Sequence, residues 1–369
     1  MRDPDAGHHR PSTPFETARV AAGAGVLTLL AATASAQAVI KVDDTINLKL
    51  GVLLQPQADW TQDADGGYTQ NLLLRRARLL VGGQLSPDVT FFLETDDPNL
   101  GKAGGGTKGI STGLTLQDAF VEWRVADALI VDAGLMCIPL CRNCYQSAGT
   151  LLPIDYGAYS FLQSAATQSV VSRDTGFLAR GYLAHNRLEY RVGAFQGARD
   201  RLSRNSFRSA GHVQYALLDT ESGFFTTGTY LGKKKVLTLG GGYDLQSDYK
   251  AFSADAFFDR PIGAAGAVTL QADFIHYDGG RTFDLPRQND LLVEAGYLFT
   301  RASVMPWVKL EAQRFRSGES TRDQDRFQGG FSYFDRGHNI NVKAGYGVID
   351  PKTGKSLRLF TVQLQIFYF

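Results

Sequence analysis

Apolar and polar residues alternate one by one along most of this chain. TINLKLGVLL (45–54) sets Ile46, Leu48, Leu50, Val52 and Leu54 on one face and Asn47 and Lys49 on the other. RLEYRVGAF (187–195) sets Leu188, Tyr190, Val192 and Ala194 against Arg187, Glu189 and Arg191. AVTLQADFIHY, NINVKAGYGV and FTVQLQIFY repeat the pattern at 267–277, 339–348 and 360–368. A strand turns successive side chains to opposite faces, so each stretch reads as an amphipathic strand, and a 3.6-residue period fits none of them. In the last stretch the apolar phase falls on Leu364, Ile366 and Tyr368, one step out of register with Phe367 and Phe369.

Strands are predicted near 45–55, 71–84, 89–96, 115–124, 128–135, 173–184, 186–196, 207–217, 236–246, 249–259, 266–277, 290–299, 303–315, 326–335, 338–348 and 357–369. Long connections (56–70, 97–114, 136–172, 278–289) tend to alternate with short ones (Ser86-Pro87-Asp88, Ala126-Asp127, His185-Asn186, Arg336-Gly337). An even count of about 16 strands with this rhythm predicts an all-β transmembrane antiparallel barrel, with both termini on the periplasmic side. A soluble sandwich also alternates, and a propeller would show a repeat of about 40 residues, which the chain lacks. Residues 218–235 break the rhythm, since parity asks for a short turn there. Either that segment folds inward or the strand count is off.

Composition changes the picture little: net charge is +1 over 369 residues, with 40 glycines, 23 phenylalanines and 15 tyrosines. Such a balance gives no argument for a nucleic-acid partner. The amino end has an export pattern, with Arg19 before the apolar run Val20 to Ala32 and Ala34-Ser35-Ala36 before Gln37. The run falls short of the roughly 20 residues of a spanning helix. Residues 1–36 are therefore expected to be a signal peptide and 37–369 the barrel. The long polar stretch before Arg19 leaves open a start downstream of Met1. Phe369, at the end of the last strand, is the kind of aromatic residue that outer-membrane proteins present for assembly.

Four stretches in order, NLLLRRARLLVGGQLSPDVTFFLETD (71–96), SRDTGFLARGYL (172–183), NDLLVEAGYLFT (289–300) and GGFSYFDRGHNINVKAGYG (329–347), resemble the phosphate-selective porin O and P family. The resemblance implies an outer-membrane porin of the Gram-negative cell, a homotrimer of sixteen-stranded barrels in lipid and lipopolysaccharide. It further implies passive diffusion of small hydrophilic solutes with a preference for small anions such as phosphate. Arg75, Arg76 and Arg78 occupy the place of the family's arginine pair on the second strand, and 136–172 that of its infolded constriction loop. The contrasting reading is a barrel acting as an adhesin or surface-binding protein with that loop plugging its lumen.

The period of two assigns lumen-facing charges. Basic candidates are Lys49, Arg76, Arg78, Arg124, Arg180, Arg187, Arg191, Arg208, Lys309 and Lys343; acidic ones are Glu94, Asp118, Glu122, Asp132, Glu189, Asp255, Asp273, Glu294 and Glu311. A ladder of guanidinium groups would lower the cost of an anion shedding water. The acids nearly match the bases, so the arginines could equally pair across neighbouring strands and stiffen the wall. The run GARDRLSRNSFR (197–208) could attract anions or bind lipopolysaccharide phosphates.

All three cysteines lie in CIPLCRNC: Cys137, Cys141 and Cys144. That spacing matches the iron–sulfur motif of radical S-adenosylmethionine enzymes, but those are α/β proteins of the cytoplasm. No histidine is near enough to complete a zinc site, and Tyr145 stands where a haem-attachment histidine would be. One loop disulfide with one remaining thiol is expected, the pairing left open, with no metal and no cofactor. His185, His212, His276 and His338 stand in no catalytic motif, so no enzyme is expected.

Overall fold

The computed structural model describes residues 38–369 except 64, 105–106, 110–112, 200, 202–203, 205 and 317; the expected signal peptide lies outside the described residues. Sixteen antiparallel strands close into a barrel. They are β1 (Asn47–Gln62), β2 (Tyr68–Ser86), β3 (Val89–Asp96), β4 (Thr115–Ala126), β5 (Leu129–Cys137), β6 (Arg173–Leu183), β7 (Leu188–Phe195) and β8 (Arg208–Ala216). Then follow β9 (Val236–Gln246), β10 (Tyr249–Ile262), β11 (Gly266–Asp278), β12 (Gln288–Phe299), β13 (Val304–Phe315), β14 (Gln324–Phe334), β15 (Ile340–Pro351) and β16 (Leu357–Tyr368). Each pairs with its neighbours in sequence, and β16 closes on β1 from Leu359↔Thr61 to Tyr368↔Val52. A short leading strand, Ala38–Lys41, pairs with the start of β1.

The expected long loop 56–70 is a correction: β1 and β2 continue pairing up to Gln62↔Tyr68 and leave only 63–67 between them. Pairing continues because Trp60 and Tyr68 are good strand formers and the Gly66-Gly67 turn is tight. The strand count holds, so the irregular connection between β8 and β9 is an inward fold.

Burial is inverted relative to a water-soluble protein. Leu79, Phe177, Phe331 and many other large apolar side chains on the outward phase are exposed, whereas Arg76, Arg180, Arg191 and Arg208 on the inward phase are buried. Outward positions therefore meet lipid and inward positions meet a polar lumen.

Two segments without regular strands enter that lumen. Residues 138–172 come from the side of the long loops, and 217–235 from the side of the short turns. A chain segment folded inward needs partners for its backbone groups, and the inward polar residues supply them. Lys343 donates to the carbonyls of Leu151 (2.5 Å) and Pro153 (2.7 Å), Lys309 to those of Asp155 and Tyr156, and Gln365 to that of Gly149. Apolar residues of the long segment seat against the wall: Leu152 and Ile154 cluster with Trp307, Met305 and Phe334. Gly242 on β9 has no side chain where the Leu140 carbonyl passes.

The two segments meet. Gln146 and Thr226 form a parallel bridge, and Ser147 N–H donates to the Thr226 carbonyl at 2.9 Å. Arg142 grips Glu221 with two hydrogen bonds (2.7 and 2.8 Å) and lies 3.7 Å over the Phe257 ring.

Candidate pore constriction

A β-bulge builds the narrow part. Leu54 pairs with Ala77 but Pro56 with Leu74, so Gln55 alone faces both Arg75 and Arg76. Pro56 has no N–H to give to the ladder, and bulges are where strands tolerate proline. The extra residue re-aims a side chain, so Arg75 and Arg76, adjacent in sequence, both reach into the lumen.

They converge on Asp155 of the inward loop. Arg75 Nε donates to Asp155 Oδ2 at 2.7 Å and Arg76 donates to Oδ1 at 2.6 Å, while Arg76 also reaches Gln55 at 2.7 Å and lies 5.2 Å over the Tyr156 ring. Burial alone would raise the Asp155 carboxyl, but Arg75 and Arg76 outweigh it and hold the group well below the usual carboxylate range. Arg76 is buried, whereas the side chains of Arg75 and Asp155 keep 23% and 34% of their surface open. Two guanidinium groups on one carboxylate leave a net positive charge at a water-accessible point.

Cavities open on both sides of this cluster. Toward the long loops lie two of about 380 Å³ each, one lined by Arg75, Lys102, Asp155 and Arg326, the other by Arg75, Arg76, Arg78 and Asp155. Toward the short turns lies one of about 200 Å³, lined by Phe92, Phe224, Phe225, Phe367 and Phe369. Tyr156 lines all three.

The structure separates the remaining basic candidates into three groups. Arg78, Arg180, Arg191 and Arg208 face the lumen but are tied to carboxylates: Arg78 to Glu94 and Asp96, Arg180 to Asp132 and Glu122, Arg191 to Glu189, Arg208 to Asp244. Lys309 and Lys343 hold loop carbonyls. Lys49 and Arg124 stand exposed at the rim of the short turns, Arg124 paired with Asp127 at 3.0 Å, and take no part in the constriction. Arg187 caps carbonyls of Ala216 and Leu217 at the same end. The run 197–208 lies partly outside the described residues; its Arg208 turns inward and its Arg199 lies 4.8 Å over Phe207. Period-two reasoning missed Arg75, whose signal was Pro56 at the bulge across from it, paired with Leu74, and missed Asp155 and Tyr156, which no strand carries.

Cys141 and Cys144 form a disulfide within the inward loop, and Cys137 is a buried thiol. No group of three or more metal-ligating side chains occurs among the described residues. His212 bridges Tyr145 Oη (2.9 Å) and Asp255 (2.7 Å), but all three are buried away from the cavities, and the chain of bonds ties loop to wall.

Known proteins place this architecture. No curated protein sequence matches the chain. In fold it is similar to an anion-selective porin from Comamonas acidovorans (TM-score 0.63, 12% identity, covering 88% of this chain and 100% of that one). It is similar also to OmpF of Salmonella typhi (0.61, 16%, 89% and 100%) and to OmpT of Vibrio cholerae in its trimer form (0.54, 11%, 88% and 100%). At such identities the likeness concerns the fold. The sequence model of phosphate-selective porin O and P matches residues 50–261, more than half of the chain. With that match, the barrel and the inward loop, the chain belongs to the phosphate-selective porin O and P family and is a porin of the Gram-negative outer membrane.

Proposed function

We propose that this porin passes small hydrophilic solutes by passive diffusion, prefers anions such as phosphate, and works as a homotrimer in outer-membrane lipid and lipopolysaccharide. The observation that carries the preference is the Arg75–Asp155–Arg76 cluster, which leaves one positive charge in excess where both outer cavities meet. An oxyanion reaching Arg75 finds a forked donor that is only partly engaged. The anion-selective porin and the trimeric OmpT that share the fold support selectivity and assembly by analogy.

Planar-bilayer recording tests it. Stepwise currents should appear, with a reversal potential in a chloride gradient on the anion side and a chloride current reduced by added phosphate. A cation-side reversal potential would sink the preference. Absence of any current would favour the adhesin reading, in which 138–172 and 217–235 plug the lumen.

A further inference from the structure

We infer that the inner cavity is a station for monocyclic aromatic carboxylates crossing the pore, a substrate class that rests on the porin reading above. Water-filled lumens are lined by polar groups, yet this cavity is walled by Phe92, Phe120, Phe224, Phe225, Phe367 and Phe369. These rings come from β3, β4, the inward segment 217–235 and the chain's last strand, and they interlock. Phe92 lies 5.5 Å from Phe369, 5.7 Å from Phe225 and 5.8 Å from Phe120, and Phe120 lies 4.4 Å from Phe224. The phase slip of Phe367 and Phe369 against the lipid-facing residues of β16 puts both rings here. Gly149 of the inward loop leaves room for the Phe367 ring where any Cβ would collide with it.

Size and polarity narrow the occupant. At about 200 Å³ the cavity suits one substituted ring, below the roughly 300–1,000 Å³ of pockets for drug-sized ligands. Its polar pole is the turn Ser147-Ala148-Gly149, which also lines the cavity. The amides of Ala148 and Gly149 and the Ser147 hydroxyl donate to no acceptor among the described residues. Such donors suit a carboxylate. The charged lining groups are balanced and engaged: Arg78 holds Glu94, Arg173 holds Asp118, and Glu122 accepts from Arg180. Acid selection therefore comes from the free donors here and from Arg75 and Arg76 at the entrance, while the rings select for aromaticity.

The test is block of chloride current at neutral pH by benzoate, acetate and benzylammonium. Benzoate should reduce the current saturably and acetate, with the same charge and no ring, should not; benzylammonium should block more weakly than benzoate. Phe225→Ala should raise the half-blocking benzoate concentration roughly tenfold, and Phe225→Leu, which keeps apolar bulk for folding, should raise it by less. Equal effects of benzoate and acetate, or tighter block by benzylammonium, would overturn this assignment while leaving the porin intact. A protein with no chloride current would fail the porin reading itself.

Discussion

Arg142 and Arg75 both lie inside the barrel and both hold a carboxylate, but they stand in regions that use the same chemistry differently. Around Arg142 the inward loop, the segment 217–235 and the wall of β8 to β10 are in direct contact. Its guanidinium is fully buried, with Glu221, Gln214 and the Thr227 carbonyl around it. Around Arg75 the loop stands off the wall of β1 and β2, and cavities remain. A buried pair of this kind acts as a rivet, whereas a pair left one-quarter to one-third open keeps a field that a passing ion can feel.

The comparison breaks most readily at the rivet. Glu221→Ala should lower stability by about 3–5 kcal/mol, because it strands a buried cation, and Arg142→Met/Glu221→Leu should cost less. Urea unfolding of both variants reads this; a loss below about 1 kcal/mol for Glu221→Ala would place that pair with surface ion pairs. Next in size is the disulfide. Cys141 and Cys144 are three residues apart, and closing so short a loop is worth about 2 kcal/mol on chain-entropy grounds. The Cys141→Ser/Cys144→Ser double variant, compared in the same urea series, should show that loss and keep an anion-side reversal potential.

On the open side, Arg75→Ala should change stability by less than about 1 kcal/mol. It should nevertheless reduce the anion-to-cation permeability ratio roughly thirtyfold, since a unit charge about 8 Å from an ion at an effective dielectric of about 40 is worth about 1 kcal/mol to the anion and the opposite to the cation. An unchanged reversal potential would make Arg75 another structural pair.

The smallest effect is a slope with pH. His338, in the turn between β14 and β15, donates from Nε2 to the Thr229 carbonyl of the inward segment at 2.8 Å, and its Nδ1 is buried without a partner. Burial pushes its pKa from 6.5 down to about 4, helped by Lys343 and Lys233 and opposed by the bond to Thr229. Between those values the unfolded chain binds a proton that the folded one refuses, so stability falls as pH drops from 6.5 toward 4. Asp155 is also shifted down, but from 3.8; its contribution is complete above that value and is lost only below it, so it adds no slope in that window. His338→Gln should flatten stability between pH 6.5 and 4, and an unaltered slope would remove the histidine from the account.

Strand positions and the sign of each face were legible in the sequence because lipid and water impose opposite demands on neighbouring residues, and period two records both. The Leu188–Ala194 alternation is enough to say that Arg191 points inward. It cannot say that Arg191 ends against Glu189 and the carbonyls of Gly223 and Phe224. Those carbonyls belong to a segment whose inward turn appeared in the sequence only as a connection too long for its place.

By itself, then, the sequence determined a lipid-facing barrel of sixteen strands with charges turned to its lumen, since alternation depends only on local backbone geometry. Tertiary structure alone decided which charges remain available. The bulge at Gln55 turned Arg75 inward, the inward loop brought Asp155 and Tyr156 to it, and the segment 217–235 brought Phe224 and Phe225 to Phe367 and Phe369. Each of these depends on close approach between residues distant in sequence, and no local pattern encodes such an approach.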